Sequence, residues 1–266
     1  MPDLSQTHLR PLPRAGGEIV SESFTGFGGA QLALHRMGAG RPVILLHGLF
    51  SSADMNWIKF GHAQKLAEAG FEALMPDLRA HGASAKPHDP AGYPPDVLAH
   101  DAAALVAHLG LTDYDLVGFS LGSRTSVRAV LGGLSPRRLV LGGMGLEGLA
   151  GWGRRADFFL DVIARFGTIR PGDPAYMAQQ FMKSMAVDRE AARLLLGTMA
   201  DTAPTALAGI AMPTLVLCGA QDDDNGDPDA QAAALAHATR ATIPGTHMGS
   251  VTQPEMGREI VSFLTA

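Results

Sequence analysis

The chain has 266 residues, 46% hydrophobic and 18% charged, with a formal net charge of −5. This size and composition suit one globular α/β domain with a substantial core. The negative charge argues against a nucleic-acid partner, because no basic face is available to neutralise phosphates. No apolar run approaches the roughly 20 residues that span a bilayer.

The first residues lack a basic segment followed by an apolar one, so no signal peptide is expected. The chain has a single cysteine, Cys218, which cannot form an internal disulfide. These features predict a cytoplasmic protein. Residues 1–18, which are rich in proline and glycine, are predicted to be a loose N-terminal leader.

The next elements form a predicted α/β pattern. Residues 19–24 and 31–36 are expected to be an antiparallel strand pair joined by a turn at 26–29. Continuous apolar strands then alternate with amphipathic helices, which predicts a mostly parallel, doubly wound sheet covered on both faces. The strands are predicted at 43–46, 73–75, 116–117, 139–141, 214–217 and 241–243, and the helices near 56–69, 95–109, 121–132, 228–238 and 253–264.

The alternation is interrupted once, before the strand at 214–217. Residues 152–166 and 176–196 have helical patterns instead, which predicts a helical lid at 146–204 above the carboxyl edge of the sheet. The α/β core then comprises 19–145 and 205–266. Most apolar lid residues are expected to pack the lid onto this core. The candidates for a substrate pocket are Phe158 and Met182 from the lid, with Phe50 and Phe119 from the core.

The most informative motif lies between a predicted strand and a predicted helix. Residues 118–122 read Gly-Phe-Ser-Leu-Gly, a G-x-S-x-G pattern typical of a nucleophile elbow. The two glycines suit a tight turn because they lack the Cβ that would collide with the adjoining elements. This context makes Ser120 the candidate nucleophile.

A serine nucleophile needs a base near pH 7, and ten histidines are available. His247 is the best placed, because it follows the last predicted strand and can return to the edge that carries Ser120. The base needs an acid to orient its ring. Asp222, just after the strand ending at Cys218, is the candidate, with Asp223, Asp224 and Glu147 as alternatives. The chain order serine, acid, histidine is the order found in enzymes that carry a G-x-S-x-G nucleophile elbow.

The negative charge that develops on a substrate oxygen during acyl transfer needs hydrogen-bond donors. One expected donor is the backbone N–H of Leu121, which directly follows the nucleophile at a helix N-terminus. The second is the N–H of Leu49, because Gly48 permits a turn that aims it inward.

On these motifs the chain resembles the α/β-hydrolases of the single-lid type, from about residue 19 onward. The segments that carry the resemblance are the elbow at 118–122, His-Gly-Leu-Phe at 47–50, Asp-Leu-Arg-Ala-His-Gly-Ala-Ser at 77–84, Gly-Ala-Gln-Asp at 219–222 and Gly-Thr-His at 245–247. The resemblance implies that Asp77, Arg79 and His81 stabilise their loop and do not react. Epoxide hydrolases and dehalogenases of this fold have an aspartate at the elbow, so the serine argues against both activities.

The sequence therefore predicts a serine hydrolase that cleaves an ester or similarly activated acyl bond of a small, mainly apolar molecule. The same residues could also serve a C–C bond hydrolase, a lactonase or a perhydrolase, and the fold could serve a ligand-binding receptor with little turnover. Neither a metal nor an organic cofactor is expected. The sequence does not indicate an oligomeric state.

Overall fold

The structure is a computed structural model that describes residues 17–266, so the predicted leader lies almost entirely outside the described residues. Within this range eight strands form one sheet: β1 (Val20–Thr25), β2 (Gln31–Gly38), β3 (Arg41–Leu46), β4 (Phe71–Pro76), β5 (Asp115–Phe119), β6 (Leu139–Gly142), β7 (Thr214–Gly219) and β8 (Ala238–Ile243). Their order across the sheet is β1-β2-β4-β3-β5-β6-β7-β8. Strand β2 is antiparallel to β1 and β4, and the remaining pairs are parallel. The predicted fold class is confirmed.

Helices connect the strands and cover both faces of the sheet. They are α1 (His62–Glu68), α2 (Val97–Leu109), α3 (Leu121–Leu131), α4 (Leu146–Ala150), α5 (Trp152–Ala164), α6 (Tyr176–Ser184), α7 (Arg189–Leu196), α8 (Pro228–Ala234), α9 (His247–Ser250) and α10 (Pro254–Thr265). None of these helices in the described part of the chain has the length and apolarity needed to cross a membrane.

The sheet separates two apolar clusters, which explains why its central strands have no polar face. In β3, Ile44 and Leu46 belong to one cluster, whereas Val43 and Leu45 belong to the other. Successive side chains of a strand point to opposite faces. A strand between two covered faces therefore needs an apolar residue at every position.

Three predicted helices differ from the structure. The helix predicted near 56–69 is divided into a π-helical turn at Asp54–Ile58 and α1, with Gly61 between them at a φ of 76°. The helix predicted at 228–238 ends at Ala234, and β8 begins at Ala238, three residues before the predicted strand. Strand β8 is an edge strand with partly exposed polar residues, so its first half lacks the apolar signal. The helix predicted at 176–196 is broken between α6 and α7, where Ala186 has a φ of 48° and Asp188 caps α7.

Helices α4–α7 occupy the interval between β6 and β7, and we call them the helical insertion. The insertion has its own apolar cluster, which includes Val162, Ile169 and Met182 and which extends to Phe50 of the α/β core. The cluster joins the insertion to the loop after β3. This junction lies at the carboxyl edge of the parallel strands, where open α/β sheets usually hold their ligands.

Candidate active site

Ser120 lies between the end of β5 and the start of α3, in a strained backbone conformation. Its φ is 53° and its ψ is −110°, a region that residues with a side chain rarely adopt. The Ser120 N–H donates to the carbonyl of Gly142 on β6 over 2.8 Å. Strained backbone of this kind persists only where the surroundings fix it, and it clusters at functional sites.

The glycines on either side of Ser120 are required by close backbone contacts. A Cβ on Gly122 would lie 2.0 Å from the carbonyl oxygen of Leu46, and a Cβ on Gly118 would lie 2.3 Å from the backbone of Gly122. Both distances are far below any van der Waals contact. The helix α3 therefore packs against β3 and β5 at a separation that glycine alone permits.

The structure brings Ser120, His247 and Asp222 into one hydrogen-bonded chain. The Ser120 Oγ lies 3.0 Å from His247 Nε2, and His247 Nδ1 lies 2.9 Å and 3.1 Å from the two carboxylate oxygens of Asp222. With its proton on Nδ1, the ring donates to Asp222, and Nε2 can accept the hydroxyl proton of Ser120. The Asp222 side chain is only 2% exposed, so this carboxylate interacts with the ring in a setting largely shielded from water.

The loops that carry the acid and the histidine hold each other in place. Asp222 follows β7 and His247 follows β8, and the two strands are parallel neighbours. The Gln221 N–H donates to the carbonyl of Gly245 over 3.1 Å. A Cβ on Gly219 would lie 2.2 Å from that same carbonyl oxygen. The close approach of the two loops therefore fixes the separation between acid and base.

The other acids considered from the sequence have different surroundings. Asp223 is exposed, and the carboxylate of Asp224 is 53% exposed and lies 3.8 Å from Arg155 of α5. Glu147 accepts a hydrogen bond from the Asp227 N–H over 2.7 Å. Asp222 is the acid that the structure brings to His247.

The loop after β3, which contains Leu49, lies beside the nucleophile candidate Ser120. The neighbouring N–H groups are occupied, since Gly48 donates to Asn56 Oδ1 over 3.0 Å and Phe50 donates to His81 Nε2 over 2.9 Å. Among residues 17–266 the Leu49 N–H has no acceptor. A Cβ on Gly48 would lie 3.5 Å from Ser120 Cβ, so this loop reaches the nucleophile.

The second predicted donor, the N–H of Leu121, is the first of α3. The first N–H groups of an α-helix have no acceptor within the helix and carry the positive end of its dipole. Together with Leu49, it can therefore stabilise negative charge on an oxygen bound next to Ser120.

Two buried histidines hold the loops beneath the site. His47 Nδ1 donates to the Gly48 carbonyl, and its Nε2 accepts from the N–H of Leu78. His81 Nδ1 donates to the Arg79 carbonyl, and its Nε2 accepts from Phe50. Burial lowers the pKa of His47, and burial next to His47 lowers the pKa of His81 to about 3. Each neutral ring therefore fastens two backbone segments together.

The low pKa of His81 predicts a pH-dependent stability. In the unfolded chain this histidine has a pKa of about 6.5, whereas in the folded protein it is about 3. Below about pH 6.5 the unfolded state binds a proton that the folded state does not. The contribution of His81 to the free energy of unfolding is therefore complete above pH 6.5 and falls by up to about 1.4 kcal/mol per pH unit toward pH 3.

We expect His81→Gln to flatten this pH dependence, although it also lowers the stability itself. The measurement is urea unfolding of wild type and variant between pH 4 and 8, read as the slope of free energy against pH. His237→Gln serves as the control, because His237 is exposed. Identical slopes for wild type and His81→Gln would contradict the assignment.

The loop that contains residues 77–84 is held by two buried charges. Burial disfavours the ionised form of Asp77, but hydrogen bonds from His35 and from the N–H groups of Ala53 and Ala83 hold the pKa of its carboxyl well below the ordinary value. Arg79 binds both carboxylate oxygens of Asp101 over 2.8 Å and 2.9 Å. These contacts stabilise the loop, as the resemblance implied.

Asn56 is a residue of the site that the sequence reasoning missed. It lies in a π-helical turn at Asp54–Ile58, a rare geometry that is frequent at functional sites. Its Oδ1 accepts a hydrogen bond from the N–H of Gly48, next to Leu49, and its buried Nδ2 has no partner among the described residues. No motif marks Asn56, because its role depends on how this turn folds back onto the preceding loop.

A cavity of about 760 Å³ opens next to Ser120 and His247 between the core and the helical insertion. Its wall is mainly apolar, and it includes three of the four predicted pocket residues, Phe50, Phe119 and Phe158. Further aromatic and methionine side chains complete it: Phe60, Phe159, Phe181, Met55, Met177 and Met248. The volume suits a small organic molecule.

The prediction of Met182 as a pocket residue is wrong. Met182 is fully buried and packs within the insertion's own cluster, beside Val162 and Ala175. Met177, five residues earlier on α6, lines the cavity instead. Five positions of an α-helix correspond to a rotation of about 140°, so the two methionines point to different sides.

Comparisons with known proteins agree with this architecture. Residues 41–136 match the sequence model of the α/β hydrolase fold family. A non-heme haloperoxidase from Rhodococcus erythropolis is 29% identical over 89% of this chain and 96% of that protein. A 2-hydroxymuconate semialdehyde hydrolase from a Pseudomonas species is 28% identical over 79% of this chain and 78% of that protein.

Solved structures resemble almost the whole described fold. An esterase from Exiguobacterium antarcticum superposes with a TM-score of 0.74 at 18% identity, covering 92% of this chain and 99% of the esterase. A hydrolase from Pseudomonas aeruginosa gives a TM-score of 0.73 at 25% identity, covering 92% of this chain and 98% of that one. Given the strand order, the elbow and these matches, the chain has the α/β-hydrolase fold.

Proposed function

We propose that this protein is a serine hydrolase that cleaves an ester or similarly activated acyl bond of a small, mainly apolar substrate through an acyl-enzyme. The observation that carries the proposal is the continuous hydrogen-bonded chain from Ser120 through His247 to Asp222, at the wall of an apolar cavity. A hydroxyl, a base and an orienting acid at these distances are what nucleophilic acyl transfer requires.

The proposed reaction has two halves. In the first, Ser120 Oγ attacks the acyl carbon while His247 Nε2 takes the hydroxyl proton and then passes it to the leaving alcohol. In the second, His247 removes a proton from water, which attacks the acyl-enzyme and releases the acid. Asp222 stabilises the imidazolium during both halves, and the N–H groups of Leu49 and Leu121 stabilise the oxyanion.

The helical insertion is proposed to be a lid over this reaction. It contributes Phe158, Phe159, Met177 and Phe181 to the cavity wall. Apolar side chains above the nucleophile exclude water and favour an apolar acyl or alcohol group. C–C hydrolysis, lactone opening and perhydrolysis are alternatives, because these reactions would use the same residues. The relatives include proteins named haloperoxidase and semialdehyde hydrolase. A panel of substrates distinguishes the alternatives.

The direct test is labelling with a fluorophosphonate probe, followed by peptide mass mapping. We expect a single adduct on Ser120, because the probe reacts with a serine whose proton is taken by a neighbouring base. Ser51 is the internal control, since it is a second serine in the cavity wall. Absence of an adduct, or an adduct on Ser51, would contradict the proposal.

A further inference from the structure

We propose that Arg155 binds a carboxylate of the substrate, so that the preferred substrates are esters with an apolar carbon chain that ends in an anionic group. This inference rests on the proposed function, because it concerns the cavity next to Ser120.

Arg155 brings a positive charge to a mainly apolar wall, which also includes Asp224. It lies near the start of α5, and its guanidinium carbon is 5.7 Å from the ring centre of Phe159, which also lines the cavity. Among the cavity-lining residues of the described range 17–266, Arg155 is the only lysine or arginine. The side chain is 27% exposed, so a ligand in the cavity can reach it.

Most N–H donors of the Arg155 guanidinium have no hydrogen-bond acceptor in the described part of the chain. A guanidinium carries five N–H donors, and Arg155 makes one hydrogen bond to the described part of the chain, from Nη1 to the Asp224 carbonyl over 2.7 Å. The Asp224 carboxylate forms a loose ion pair with Nη2 at 3.8 Å, a distance too long for a hydrogen bond. Donors of the planar fork therefore remain for a bidentate partner, and carboxylates are the groups that match this geometry.

Arg79, which holds the loop at 77–84, differs from Arg155 in its hydrogen-bond partners. Arg79 binds both oxygens of Asp101 and also the carbonyl groups of Phe27 and Gly92, so its guanidinium is surrounded by acceptors. Arg155 lacks such a set of acceptors. Burial lowers the pKa of Arg155 despite the charges of Asp224 and Asp222, which is the signature of a cation whose surroundings compensate it only in part.

A substrate carboxylate bound to Arg155 would supply the negative charge that the surroundings of this guanidinium provide only in part. An ion pair in a partly buried, apolar site is stronger than one on the surface, because less water screens it. A carboxamide has nearly the same size and shape but no charge. The preference for a carboxylate over a carboxamide therefore measures the contribution of Arg155.

The experiment compares the 4-nitrophenyl half-esters of adipic and suberic acids with the matching primary amides. We expect wild type to have a higher kcat/KM for the carboxylates, and Arg155→Met to lower the carboxylate-to-carboxamide ratio by about ten- to a hundredfold. Arg154→Met is the matched control, because Arg154 is adjacent, exposed and outside the cavity wall. An unchanged ratio in Arg155→Met overturns the proposal.

A further variant separates recognition from a purely structural contact with Asp224. If Arg155 only fastened α5 to the loop that carries Asp222 and Asp224, Arg155→Met would lower kcat/KM for the carboxylates and the carboxamides by the same factor. That result would overturn the proposal. Asp224→Asn keeps the backbone carbonyl that Arg155 binds but removes the neighbouring negative charge. We expect it to raise the carboxylate-to-carboxamide ratio, and a fall in this ratio would also count against recognition.

Binding to the Ser120→Ala protein keeps the test independent of turnover. Isothermal titration with the adipate half-ester and its amide should show tighter binding of the carboxylate, and this difference should disappear in Ser120→Ala/Arg155→Met. If wild type hydrolyses neither compound while this difference is found, the hydrolase proposal fails and the role of Arg155 stands. Equal affinities for the two compounds overturn the role of Arg155, whatever the hydrolysis data show.

Discussion

The Ser120→Ala variant should lose about 10⁴- to 10⁶-fold in kcat on a chromogenic short-chain ester. In the proposed reaction the acyl-enzyme cannot form without the hydroxyl, whereas the N–H groups of Leu49 and Leu121 and the cavity remain. The melting temperature should change by no more than about 4 °C, because the side chain loses one hydrogen bond and keeps its backbone conformation. Initial rates and thermal unfolding of the same preparations provide both measurements.

Ser126→Ala is the matched control for this loss. Ser126 is also buried on α3, and its hydroxyl donates to the Gly122 carbonyl over 2.8 Å, away from His247. This control should retain activity within a few-fold of wild type. Turnover by Ser120→Ala at a rate close to that of wild type would refute the nucleophile assignment.

The Asp222→Asn variant should lower kcat by about 10⁴-fold. An amide in place of the carboxylate neither holds the His247 proton on Nδ1 nor stabilises the imidazolium that forms during attack. The buried position of the Asp222 carboxylate strengthens this effect, because little water is available to replace it. The measurement is the steady-state rate at a saturating ester concentration.

Asp223→Asn makes the same change of charge at the next residue and provides the comparison. Asp223 is exposed, so its removal should leave kcat nearly unchanged. A large loss in Asp223→Asn together with normal activity in Asp222→Asn would show that the loop carries a different acid from the one inferred here.

The nucleophile and base candidates could be chosen from the sequence because local pattern is informative at these positions. Ser120 is flanked by glycines at a strand-to-helix turn, and His247 follows the last strand of a parallel sheet. Both contexts are encoded by neighbouring residues. The strand periodicity likewise led to the fold class, because continuous apolar strands require cover on both faces.

The acid and the pocket needed the folded chain. Asp222, Asp223 and Asp224 are consecutive, so their local pattern is the same. In the folded chain the backbones of Gly219 and Gly245 approach closely, and Asp222 is the acid of the three that lies within hydrogen-bond distance of His247. The sequence predicts that Met182 faces the substrate, but on α6 this side chain is buried in the insertion's own apolar cluster.

The layered α/β architecture, the elbow at Ser120 and the strand ends that build the site could all be predicted from the amino-acid sequence. Those features follow from residue periodicity and turn chemistry, which act over a few neighbouring positions. The hydrogen bond between Asn56 and Gly48 and the position of Arg155 in the cavity wall depend instead on how distant segments pack. Such contacts join segments that are distant or irregularly folded, and a helical or strand period does not encode which segments meet.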